Sequence, residues 1–257
     1  MLGPRTSESV ICVAGPEART VPAAMAAPRL FVALDTPDAA CAAELARAIG
    51  TRAGIKIGLE FFAANGPAGI DRVRRPGQAL FLDLKFHDIP NTVAGAVRSA
   101  LALEPDLITI HAAGGRAMME AAREAAAGGR HRPALIGVTV LTSLDDAALE
   151  EAGQRGPAGD QVLRLAKLAR EAGLVGVVCS GQEIAPLKKA LGAQFRLLVP
   201  GLRPKGAEAG DQARVMTPGE AARLGADWLV VGRPITAAAD PAAALARILD
   251  EIGEATS

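Results

Sequence analysis

The stretch ALFLDLKFHDIPNTVAGAVRSALAL, Ala79 to Leu103, reads as a strand, ALFLDLKF, followed by a helix-like segment, NTVAGAVRSALAL. Along the strand Leu80, Leu82, Leu84 and Phe86 make an unbroken apolar row on one side. Asp83 and Lys85 lie two apart and therefore point together to the other side. From Arg29 onward this β-then-α unit recurs. Further strand candidates are RLFVALD, GIKIGLE, LITIHAA, LIGVTVLT, GVVCS, RLLVPGL and WLVVGRP. Between them lie helical patterns such as DAACAAELARAIG, GRAMMEAAREAAAGG, QVLRLAKLAREAG, TPGEAARLGA and PAAALARILDEIG. Alternation of this kind implies right-handed crossovers and a parallel sheet. Eight strands at this chain length predict a single-domain α/β protein, a (β/α)8 TIM barrel. A doubly wound open sheet is the alternative. It usually carries a glycine-rich first turn, and no GxGxxG follows the first strand here.

The 257 residues are half hydrophobic and 22% charged, with Lys+Arg and Asp+Glu equal at 28 each. Zero formal net charge gives no electrostatic case for nucleic acid or an anionic membrane as a partner. Cys12, Cys41 and Cys179 are scattered without CxxC spacing. They suggest neither a disulfide framework nor a zinc site, and a reduced, cytoplasmic protein is expected. No apolar run approaches the ~18 residues that span a bilayer. Residues 1–24 contain only a short apolar patch broken by Gly, Pro, Glu and Arg, which makes a poor signal peptide. They are expected to be a disordered extension or the product of an over-early start codon, with the barrel domain over residues 25–257.

In a barrel, chemistry belongs at the C-terminal ends of the strands. Those ends read, in order, Asp35, Lys56, Asp83 with Lys85, His111, Thr142, Ser180, Pro200-Gly201 and Gly232-Arg233. Lys56, inside GIKIG, stands out because a buried strand seldom carries an ammonium without a partner. Any one of these residues could be a solvated strand end or half of a satisfied ion pair. Charged positions on each of the first three strands, all at one end, point instead to a site.

Asp83 to Thr92, DLKFHDIPNT, resembles the orotidine 5′-phosphate decarboxylase family, whose motif is D-x-K-x-x-D-I-P-N-T. VALDTPD, IKIGLEFF, VTVLTS, VPGLRP, GDQARVMTPGEA and GADWLVVGRPIT are similar to further family segments, in the family's order. The resemblance implies decarboxylation of orotidine 5′-monophosphate to UMP and CO2 in pyrimidine biosynthesis, by a homodimer that uses no cofactor and no metal. It also implies roles. Lys85 protonates C6 of the pyrimidine, Asp83 faces the departing carboxylate, and Lys56 bridges Asp83 and a ribose hydroxyl. Asp88, with Ile89 and Thr92, reaches the neighbouring subunit's site. Asp35 binds the ribose and Thr142 the pyrimidine. Arg203, Gln212, Gly232 and Arg233 hold the rest of the substrate, its phosphate included.

The chemistry is consistent with these roles. Loss of CO2 from C6 leaves electrons in an in-plane orbital with no conjugated carbonyl or imine to accept them. Fixed charge must then stabilise the carbanion. Burial disfavours a charged lysine and flanking carboxylates favour it, so a Lys56–Asp83–Lys85–Asp88 alternation keeps each charge paired. A barrel's phosphate pocket usually forms after strands seven and eight. There the chain offers Gly232, the Arg233 fork and a short helix expected after Ile235. The glycine-rich stretch Arg203–Gln212 reads as a lid.

Elsewhere His87, His111 and His131 are expected in core or surface duty, Asp145-Asp146 as a helix cap, and Cys179 as a buried strand residue. Two alternatives are weighed. Related phosphosugar barrels, the 3-keto-gulonate-6-phosphate decarboxylases and hexulose-phosphate synthases, share D-x-K-x-x-D. They carry an acidic metal ligand where this chain has Lys56, and they lack Ile-Pro-Asn-Thr. A non-catalytic nucleotide-binding barrel would not need the charged alternation.

Overall fold

The structure, a computed structural model, describes residues 29–204 and 216–256. The extension expected over residues 1–24, and the lid expected over Arg203–Gln212 from residue 205 onward, Gln212 included, lie outside them. Eight strands occur where the apolar runs predict: β1 (Arg29–Ala33), β2 (Gly54–Gly58), β3 (Leu80–Phe86), β4 (Leu107–His111), β5 (Ala134–Val138), β6 (Gly176–Val178), β7 (Arg196–Val199) and β8 (Trp228–Val231). They pair in parallel and in chain order, and β8 closes on β1 through Arg29 opposite Trp228. The expected (β/α)8 barrel is the observed fold.

Around it run α1 (Ala39–Ile49), α2 (Leu59–Val73), α3 (Pro90–Ala100), α4 (Gly115–Ala127), α5 (Asp146–Glu151), α6 (Ala158–Glu171), α7 (Ile184–Leu191), α8 (Pro218–Arg223), α9 (Arg233–Thr236) and α10 (Pro241–Thr256). Helix starts follow local chemistry. The Asp38 carboxylate accepts from the Ala40 and Cys41 N–H groups at α1, and Asp145 accepts from Ala148 at α5. Thr217 and Glu220 form a reciprocal capping box at α8. Helix α2 runs through Gly66-Pro67 by kinking at Gly66, whose φ of 59° suits only glycine.

The period of two seen in Ala79–Phe86 sorts the core into two layers. Leu80, Leu82 and Leu84 join Leu30, Val32, Ile55 and Ile57 in the large cluster between barrel and helices. The alternate residues Phe31, Phe81, Ile136, Leu198, Trp228 and Val230 fill the barrel itself. Phe31 meets Phe81 edge-on at 5.7 Å, a contact worth about 0.5–1.5 kcal/mol beyond its area. Gly54 leaves the room for it, since a Cβ there would lie 2.4 Å from the Phe31 ring.

At the N-terminal end of the barrel Asp227 accepts from Lys188 Nζ (2.8 Å), the Leu197 N–H (2.9 Å) and the Arg196 guanidinium. That network ties β7 to β8 on the face where barrels place stability rather than chemistry. Among the described residues no helix is long and apolar enough to cross a membrane.

Candidate active site

At the C-terminal mouth a cavity of about 460 Å3 opens, within the range of small-molecule sites. It is lined by Asp35, Lys56, Asp83, Lys85, Thr142, Arg203, Gly232 and Arg233 among others. Residues drawn from the ends of strands far apart in sequence thus meet in one chamber.

The charges on its floor alternate. Lys56 Nζ lies 2.9 Å from Asp35 Oδ1 and 3.6 Å from Asp83 Oδ2, and Asp83 Oδ2 lies 2.8 Å from Lys85 Nζ. Lys56 is 7% exposed, so its ammonium depends on these two carboxylates. Gly58 makes the space, because a Cβ there would stand 3.1 Å from Lys56 Nζ and 3.2 Å from Asp35 Oδ1. Asp35 stands among the charged strand ends that mark the site in the sequence, and the resemblance implies a ribose contact for it. The structure adds that Asp35 begins the charged row.

Strand β3 delivers Asp83 and Lys85 through an irregularity. Its pairing with β4 slips between Leu82 and Phe86, and Lys85 sits at φ 49°. A left-handed conformation at a residue with a Cβ costs about 1–3 kcal/mol and persists only where its surroundings enforce it. Thr109 of β4 supplies part of that enforcement. Its hydroxyl accepts the Lys85 N–H (3.0 Å) and donates to Asp83 Oδ1 (2.9 Å). Sequence reasoning passed over Thr109, since threonine is an ordinary strand residue. Its inward position two residues before His111 was the available signal.

The loops after β7 and β8 supply the guanidinium groups. Gly201, at φ 76°, turns the chain after β7 as only glycine readily does. Beyond it Arg203 is 8% exposed, and its Nε has no hydrogen-bond partner among the described residues. After β8, Gly232 caps α9, which begins at Arg233 and not after Ile235 as the sequence suggested. Pro234 explains the earlier start, because proline is favoured in a helix's first turn.

Asp88, Ile89 and Thr92 are exposed and do not line the cavity of their own chain. The Asp88 carboxylate accepts its neighbour Ile89's N–H at 2.6 Å. Ile89 itself is 66% exposed. Ser180, another strand-end candidate, takes part in a capping box with Glu183. Cys179 is buried as expected, and burial pushes its thiol well up.

His111 stacks on His87 with ring centres 5.0 Å apart. Burial above all, then His87 and Lys85, hold the His111 imidazole below its ordinary 6.5, while Asp83 pulls the other way. A histidine whose folded value is lowered contributes stability that is present above the unfolded value, about 6.5. That contribution is lost as pH falls through 6.5 toward the folded value. His111→Gln should therefore flatten the fall in thermal midpoint between about pH 7.5 and about pH 5. An equally steep fall in the variant would assign the acid sensitivity to other groups.

The residues also match known proteins. Residues 28–248 match the family described as Orotidine 5'-phosphate decarboxylase / HUMPS family. The orotidine 5'-phosphate decarboxylase of Paramagnetospirillum magneticum is 52% identical over 230 residues, covering 87% of this chain and 98% of that protein. The protein of the same name from Idiomarina loihiensis is 51% identical over 231 residues, covering 90% and 100% of the two chains. Among solved structures, orotidine 5'-phosphate decarboxylase from Lactobacillus acidophilus superposes with a TM-score of 0.79 at 36% identity, covering 88% of this chain and 99% of that one. Matched across its whole barrel, this chain belongs to the orotidine 5'-phosphate decarboxylase / HUMPS family.

Proposed function

We infer that this protein decarboxylates orotidine 5′-monophosphate to UMP and CO2, the closing step of UMP synthesis. The observation that carries the reading is the Asp35–Lys56–Asp83–Lys85 row on the floor of a cavity that Arg203 and Arg233 also line. The narrower of the family's two names is the one carried by the relatives at 51% and 52% identity.

The substrate's phosphate binds toward Arg203 and Arg233. Arg203, buried on the cavity wall with its Nε unpartnered among the described residues, suits a dianion, because a buried guanidinium needs its N–H groups and charge satisfied. The pyrimidine then extends toward Thr142, the ribose toward Asp35 and Lys56, and C6 toward Lys85. The bond from C6 to the carboxylate carbon breaks and its electron pair stays on C6. A proton passes from Lys85 Nζ to C6, and solvent restores it to the lysine. Asp83, 2.8 Å from Lys85, holds the ammonium in place and presents negative charge to the departing carboxylate. Whatever binding energy the phosphate provides can be used to orient C6. The free thiols of Cys41 and Cys179 agree with a reducing, cytoplasmic setting.

The working unit is a homodimer formed across the barrel mouth. Leu59, Ile89 and Leu141 are 57%, 66% and 38% exposed there. Covering one such side chain contributes up to about 1.5–3 kcal/mol. Asp88, Ile89 and Thr92 then reach the partner's cavity, and Asp88 completes the charged row beyond Lys85.

The purified protein should consume orotidine 5′-monophosphate, seen as loss of its ultraviolet absorbance, at a rate that EDTA leaves unchanged. Turnover of 3-keto-gulonate 6-phosphate instead, abolished by EDTA, would replace this reading with the metal-dependent one. Arg233→Ala should lower kcat/KM roughly ten- to a hundredfold, the value of one charge-assisted contact of about 1.5–3 kcal/mol. An equal loss on a substrate lacking the phosphate would remove Arg233 from phosphate binding.

A further inference from the structure

We propose that Thr109 is a positioning residue for the decarboxylation, one hydroxyl that sets both the Asp83 carboxylate and the Lys85 backbone. The inference rests on the functional reading above and adds a residue to it.

Pairing between β3 and β4 joins Leu82 to Ile108 and Phe86 to Ile110. Between those pairs β4 has Thr109 alone, while β3 has Asp83, Leu84 and Lys85. One residue therefore faces three, and the bulge carries both charged side chains into the cavity. In the bulge the Lys85 N–H donates to the Thr109 hydroxyl at 3.0 Å. A hydroxyl has one hydrogen to give. Thr109 gives it to Asp83 Oδ1 at 2.9 Å. An ionised carboxylate only accepts, so the direction of this relay is fixed. With Oδ1 so engaged, Oδ2 is the oxygen that meets Lys85 Nζ at 2.8 Å and Lys56 Nζ at 3.6 Å.

Thr109 is wholly buried and does not line the cavity, so it acts through Asp83 and Lys85 and not on substrate. Without the hydroxyl, the Lys85 N–H loses its partner and the Asp83 carboxylate can rotate. Both changes move the ammonium away from C6. Displacements of about 1 Å can cost about a hundredfold in rate. Substrate binding, governed by the arginine loops on the far wall, should change little.

Three variants separate the hydroxyl from packing. Thr109→Val keeps the shape and loses the hydroxyl, Thr109→Ser keeps the hydroxyl and loses the methyl, and Thr109→Ala loses both. Steady-state kinetics on orotidine 5′-monophosphate should show kcat reduced about 30- to 300-fold in the Val and Ala variants, with KM within about threefold. The Ser variant should stay within about fivefold of wild type in kcat. If Thr109→Val does not fold, the Ser and Ala pair alone decides, with thermal midpoints recorded for each. A Val variant within threefold of wild type in kcat would overturn the proposal, as would a Ser variant that falls as far as Ala. Wild-type protein inactive in the same assay would overturn the functional reading, and this proposal with it, whereas an active wild type with unaffected variants sinks the proposal alone.

Discussion

Lys85→Ala should abolish turnover of orotidine 5′-monophosphate, with kcat lowered at least about a thousandfold, and leave a folded protein that still binds UMP. The size of the loss follows from the chemistry. No conjugated group accepts the electron pair left on C6, so in the proposed mechanism the ammonium would both stabilise the carbanion and quench it. Folding should survive because Asp83 keeps two other partners, Lys56 at 3.6 Å and the Thr109 hydroxyl at 2.9 Å. Alanine at φ 49° is no better suited to a left-handed backbone than lysine, so part of the strain remains. Kinetics and calorimetry on the purified variant check both halves. Turnover within tenfold of wild type would take the proton-donor role from Lys85.

Mixing two inactive variants should regenerate activity. Asp88 lies three residues past Lys85, exposed at the mouth, and hydrogen-bonds only its own Ile89 N–H among the described contacts. In the proposed two-fold dimer each site would take Lys85 from one chain and Asp88 from the other. Lys85→Ala and Asp88→Ala homodimers should each be nearly inactive. An equal mixture, unfolded and refolded together, makes half its dimers mixed. Each mixed dimer has one intact and one doubly damaged site, so activity should return to roughly a quarter of wild type. If Asp88 served its own chain, every site would lack one residue and mixing would restore nothing. Confirmed mixed dimers no more active than their parents would place Asp88 in cis or outside the site.

The barrel was legible because each strand is a short β-rich run bounded by turn residues, and because charge collects at one set of ends. Lys56 inside GIKIG was the clearest single anomaly, and the structure pairs it with Asp35 and Asp83. Features that depend on neighbouring strands were not legible. Nothing local to Phe81–Phe86 marks the slip against β4, and a lysine at positive φ has no sequence signature. Thr109 looked like one more β-former in LITIH. His87 and His111 were read singly, and only the adjacency of β3 and β4 brings their rings together. Helix α2 was hidden by Gly66-Pro67, which normally stops a helix and here kinks one.

If fixed charges alone carry the decarboxylation, the electron pair stays at C6 until Lys85 delivers its proton. The most direct measurement is turnover of orotidine 5′-monophosphate in deuterium oxide with EDTA present, with the UMP examined by proton NMR. Decarboxylation by fixed charge should give an undiminished yield of UMP, deuterium at C6 and hydrogen retained at C5. Loss of the C5 hydrogen would mean that the 5,6 double bond is transiently saturated, and failure to turn over with EDTA would mean that a metal ion carries the charge. Either result would rule out decarboxylation by fixed charge alone.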